Sequence, residues 1–180
     1  MNHLRRIFDG NKPGSRSSEQ PNAEDQLAAL DIPSCYARIE ESANAFLQLL
    51  GPGFTRTPDG HIVTDIAGAA SVAGHMLLRG QGLDLSNVEP GTLVLSDIHA
   101  AQEAVFRFMV NAAYSMGLDP KSGWDKPHRP TQAPRMDTPE LLARLLPGFL
   151  AICQKSGLSE AYFPYVAALA AIKLVAAGDG

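Results

Sequence analysis

Residues that carry recognisable chemistry are scarce in this sequence. Two cysteines, one tryptophan and five histidines occur among 180 residues, and 19% of the chain is charged. Cys35 and Cys153 stand in no Cys-x-x-Cys or Cys/His ligand spacing, which excludes a zinc finger. There is no Gly-x-Ser-x-Gly elbow, no His-Glu-x-x-His helix and no Walker lysine behind the glycine pairs Gly51/Gly53 and Gly80/Gly82. Those glycines therefore read as helix stops. Arg5 and Arg6 are not followed by the apolar run of about 7–15 residues that a secretory signal needs. The expectation is a cytoplasmic protein with both thiols reduced and buried on apolar helix stripes.

Positive charge is short over the body of the chain. The net charge is −4, but residues 1–16 carry Arg5, Arg6, Lys12 and Arg16 against Asp9. An acidic body is a poor electrostatic match for nucleic acid, so a nucleic-acid partner is not expected. The segment from Asp9 to Asn22 is Gly, Ser, Pro, Asn and charge, with too little apolar surface to repay ordering. Residues 1–22 are thus expected to form a flexible basic arm. Residues 23–180 then make one helical domain, long enough to bury a sizeable core.

Present in abundance is apolar helix. From Ala161 to Ala177 the only charge is Lys173. A helix apolar nearly all round lies in a core or in a membrane. Seventeen residues is at the short end for a span, and the other stripes of the chain need a surface to bury against. The sequence therefore predicts a core helix and no membrane span.

Tyr36, Ile39, Ala43, Phe46, Leu47 and Leu50 form a helical stripe, with Asp31 or Ser34 as its cap and Gly51-Pro52 as its stop. A short helix is expected ahead of it, over Ala23 to Leu30. Two β-prone runs around Pro58-Asp59-Gly60 suggest a small hairpin over 54–64. Thr64 or Asp65 then caps a helix to about Arg79, rich in Ala and Gly. Glycine costs about 1 kcal/mol inside a helix, so its use there points to close backbone approach by another helix or by a ligand. A further stripe runs over Asp97 to Met116 (Ile98, Ala101, Val105, Phe108, Met109, Ala112) and closes at Gly117. Thr138-Pro139-Glu140 opens the next helix, which Pro147-Gly148 is expected to kink.

Two groups of residues stand out as candidate sites. The irregular, proline-rich loop 118–137 holds Trp124, Lys126, His128 and Arg129. A long unstructured connection is usually functional, and Trp and Arg dominate many interfaces. The second group is Asp97, His99 and Glu103 on one helix face, with His75 from a neighbour. These supply the oxygen and nitrogen ligands of a hydrolytic metal site. Against that stands a solvated face with a Glu103–Arg107 ion pair.

The chain reads as an all-α, single-domain bundle of five or six helices around its C-terminal helix. The expected function is a non-enzymatic protein-interaction module: an adaptor, an assembly component or an inhibitor of a partner protein. It would bind through Trp124, Lys126, His128 and Arg129 and need no cofactor. The alternative is a metal-dependent enzyme or small-ligand-binding helical protein using the Asp97/His99/Glu103 face, with the Ala/Gly-rich helix 65–79 as a possible ligand wall.

Overall fold

Asp31 sets the start of the first helix. Its carboxylate accepts the Ser34 backbone N–H at 3.2 Å, and Pro33 sits in the first turn, where its missing N–H costs nothing. The computed structural model describes residues 30–51, 61–80, 99–119 and 133–178. Among these the chain is all-α. Helix α1 covers Ile32–Leu49, α2 Ile62–Gly80, α3 His99–Ser115, α4 Thr138–Lys155 and α5 Phe163–Gly178, and a 3-10 turn at Glu160–Tyr162 leads into α5. The arm 1–22, the short helix expected over 23–30 (apart from Leu30) and most of the proline-rich loop lie outside the described residues.

The start of α2 corrects one expectation. Residues 62–64, placed by their β-branched run in the second strand of a hairpin, are the first turn of α2. Local hydrogen bonding explains it. The His61 carbonyl accepts from Thr64 N at 2.8 Å and from Asp65 N at 3.0 Å, and His61 Nδ1 lies 2.6 Å from Thr64 Oγ1. Burial of Thr64 and Asp65 then outweighs strand propensity. Residues 54–60 of the expected hairpin lie outside the described residues.

Helix α5 is the centre of the packing. Phe163 through Ala171 are all buried, and α5 packs against α2, α1 and α3. Its alanines let α2 come close, and the α2–α5 contact is the most extensive in the fold. Helix α4 packs on α1 and α2. Two close approaches fix that layer. A Cβ on Gly68 of α2 would lie 2.7 Å from Leu145 Cδ1 of α4, and one on Gly148 of α4 would lie 2.7 Å from Leu49 Cδ2 of α1. Pro147 lies inside α4, which continues to Lys155.

Aromatic rings tie the helices together in two sets. Phe46, Phe149 and Phe163 meet edge-to-face, with centroids 4.8 Å and 6.1 Å apart, and join α1, α4 and the start of α5. Phe108 and Tyr165 meet at 5.2 Å and join α3 to α5. The lone charge of α5 is also accounted for. Lys173 Nζ donates to Glu40 Oε1 at 2.9 Å and to Asn44 Oδ1 at 2.8 Å on α1. By length and composition, Glu160–Gly178 is also a stretch that could cross a membrane; half of its most apolar window is buried inside this chain.

Both cysteines are free and buried, as their stripe positions predict. Burial pushes the Cys153 thiol up to about 12, so at pH 8 the nucleophilic thiolate is rare. Iodoacetamide at pH 8 is expected to leave Cys153 unmodified in the folded chain and to modify it in denaturant. Peptide mass analysis checks this, and labelling of Cys153 without denaturant would contradict it.

Candidate functional site

Among the described residues helix α3 packs chiefly on α5, and a groove runs along each of its flanks. The residues there are small: Ala70, Ala73 and Gly74 on α2, and Ala100 and Ala104 on α3. Where facing side chains are short, two helices cannot close on each other, and a groove remains. One groove lies between α2 and α3 with α5 as its floor. Its volume is about 540 Å³. Ala70, Ala73, Gly74 and Leu77 form the α2 wall, Val105, Phe106 and Met109 form the α3 wall, and Ala168 and Ala171 form the floor. Gln102 and Glu103 are the polar members of the lining.

Gly74 separates the two explanations for glycine in α2. A Cβ on Gly68 would run into Leu145, so that glycine serves helix contact. Among the described residues a Cβ on Gly74 would meet nothing within 4 Å, so none of the described helices requires the glycine there. It faces the groove. Phe106 stands beside it, 47% exposed despite its size.

A second groove, of about 590 Å³, lies on the other flank of α3, against Leu30, Ile32 and Pro33 at the start of α1. Glu103, Arg107, Asn111 and Tyr165 make it more polar. Glu103 lines both grooves. Its carboxylate is paired with the Arg107 guanidinium one turn on, as the sequence spacing predicts. Burial, and then Tyr162 nearby, push the Tyr165 phenol above its usual range.

Of the other sequence candidates, His75 and His99 fall among the described residues. Trp124, Lys126, His128, Arg129 and Asp97 lie outside the described residues, and His99 is the first residue of α3. His75 lies on α2, half-buried, and lines neither groove. Burial, and then the Arg79 charge, hold its imidazole below the usual range. Among the described residues no group of three His, Cys, Asp or Glu side chains is placed to hold a metal ion. The groove residues of α3 were not singled out as a site by sequence reasoning: Val105 and Met109 read as core, and Phe106 lies beside the polar row of the helix, outside the core stripe.

Comparison with known proteins supplies no relative: no family model, no curated protein and no solved structure matches the chain.

Proposed function

We propose that the chain is a non-enzymatic protein-interaction module, a single helical bundle around α5, that receives the apolar face of a partner helix between α2 and α3. The observation that carries the reading is the groove itself, with Gly74 facing open space along an apolar wall. Its walls are two helices, so it suits a rod-shaped occupant with apolar side chains at i, i+3, i+4 and i+7. A volume of about 540 Å³ falls in the usual range of binding cavities, roughly 300–1,000 Å³. Phe106 supplies an aromatic anchor at the edge, and Gln102 and Glu103 offer polar contacts that would fix register. The segment with Trp124, Lys126, His128 and Arg129 is the sequence's own candidate for a second contact with the same partner. The metal-dependent alternative on Asp97, His99 and Glu103 has less support, because Glu103 is already paired with Arg107.

The reading is tested by native mass spectrometry of the full chain gently purified from its own cells. A stoichiometric protein partner is expected with the natural chain. Gly74→Leu puts a side chain into the groove from a position where the Cβ meets nothing within 4 Å among the described residues. It is expected to reduce the bound fraction about tenfold or more, equivalent to roughly 1.4 kcal/mol or more in affinity, with a melting temperature no lower than that of the natural chain, since leucine favours the helix over glycine. A bare chain would overturn the reading. So would a small-molecule mass in place of a protein, or a Gly74→Leu chain that holds its partner as well as the natural one.

A further inference from the structure

At the opposite side of the sequence's logic from the groove lies a buried polar cluster that the proposed function does not use. His61, Thr64 and Asp65 at the start of α2 are 9%, 0% and 5% exposed. Two of them are tied to other pieces of chain. Thr64 Oγ1 accepts the Arg135 backbone N–H at 2.9 Å, from the segment before α4. The Asp65 carboxyl accepts the Gly51 backbone N–H, from the turn after α1. The other Asp65 oxygen, Oδ1, is buried with no hydrogen-bond partner among the described residues.

We propose that Asp65 is a pH-sensitive latch joining the turn after α1 to the start of α2, closed while its carboxyl is neutral and loosened when it ionises and draws water to its buried oxygens. A buried carboxylate with one oxygen unpartnered is costly, and the neutral acid avoids most of that cost. Burial accordingly pushes the carboxyl above its ordinary range, while the Gly51 N–H and the His61 charge pull it back in part. Among the described residues His61, on the cap of α2 itself, is the titratable group acting on it. From the end of α1 it faces only a backbone N–H, and Arg135 contributes a backbone N–H to Thr64.

The sign follows from proton linkage. Between the ordinary carboxyl value of 3.8 and the raised folded value, the folded chain holds a proton that the unfolded chain has lost. Stability therefore falls as pH rises through that window, by up to tenfold in the folding equilibrium per pH unit, and levels off above the folded value.

Denaturant unfolding of the full chain and of Asp65→Asn, from pH 4 to pH 8, tests the proposal. The natural chain is expected to lose stability relative to Asp65→Asn as pH rises from about 4, then to run parallel to it. The same divergence is expected in a His61→Gln background, which removes the imidazole titration. Amide exchange at Gly51, Thr64 and Asp65, corrected for intrinsic rate, is expected to speed up at high pH in the natural chain and not in Asp65→Asn. A constant difference between the two chains at every pH would overturn the proposal, as would its disappearance in the His61→Gln background. If Asp65→Asn fails to fold, amide exchange in the natural chain decides: exchange at these three positions, corrected for intrinsic rate, that does not change with pH overturns it.

Discussion

Phe149→Ala is expected to cost about 3–5 kcal/mol, the range for removing a fully buried aromatic ring. Phe149 has no exposed surface, and its ring lies between Phe46 of α1 and Phe163 at the start of α5. Removing it takes away both edge-to-face contacts and leaves a cavity that three helices must collapse to fill. Against a typical total of about 5–15 kcal/mol, a loss of this size unfolds a large share of the chain at warm temperature. Urea unfolding read by circular dichroism checks it, and a cost below about 1.5 kcal/mol would mean that Phe149 is not central to the core. Phe149→Leu keeps most of the volume and is expected to recover more than half of the loss.

The aromatic centre was legible only in part. The stripe through Ile39, Ala43 and Phe46 has helical spacing, and α1 forms there, capped by Asp31. The apolar run through Ala167 and Ala171 predicted a core helix, and those residues are buried. Such features repeat within a few turns, so spacing alone reveals them. The partner of each stripe is a matter of distant contacts, and the pairing of Phe46 with Phe149 spans most of the chain.

The same limit explains the hairpin and the grooves. His61-Ile62-Val63-Thr64 has strand propensity, but the Thr64 hydroxyl is buried against His61 and the backbone of Arg135. A contact seventy-one residues away in sequence adds to the local cap there, and no local pattern announces it. For the grooves, composition marked α2 as rich in small residues and left two uses open. Which small residue meets a neighbour depends on where α4 and α3 lie, and no local pattern carries that. Val105 and Met109 have the spacing of core residues, and they do pack on α5, yet they also wall the groove. Glu103 and Arg107 were legible because an i,i+4 pair lies within one helix.

Gly68 and Gly74 make the distinction testable, since a side chain added at each is expected to act in opposite directions at two positions of one helix. Gly74→Ala adds a methyl group that meets nothing. It should stabilise the chain by about 1 kcal/mol, the helix-propensity difference between the two residues. At Gly68 even a Cβ would lie 2.7 Å from Leu145 Cδ1, with Leu141 and Leu50 methyls at 3.6 Å and 3.7 Å behind it. Leu145 is fully buried, so it has no free space to turn into. Gly68→Val adds two further methyls at the crossing of α2 and α4 and is expected to destabilise by about 1–3 kcal/mol through overpacking. Paired melting curves decide the matter. Gains at both positions would mean that α4 does not approach α2 at Gly68. Losses at both would mean that Gly74 is packed against a neighbour, which would also remove the groove on which the proposed function rests. Only gain at Gly74 with loss at Gly68 fits an α2 that meets a helix on one face and open space on another.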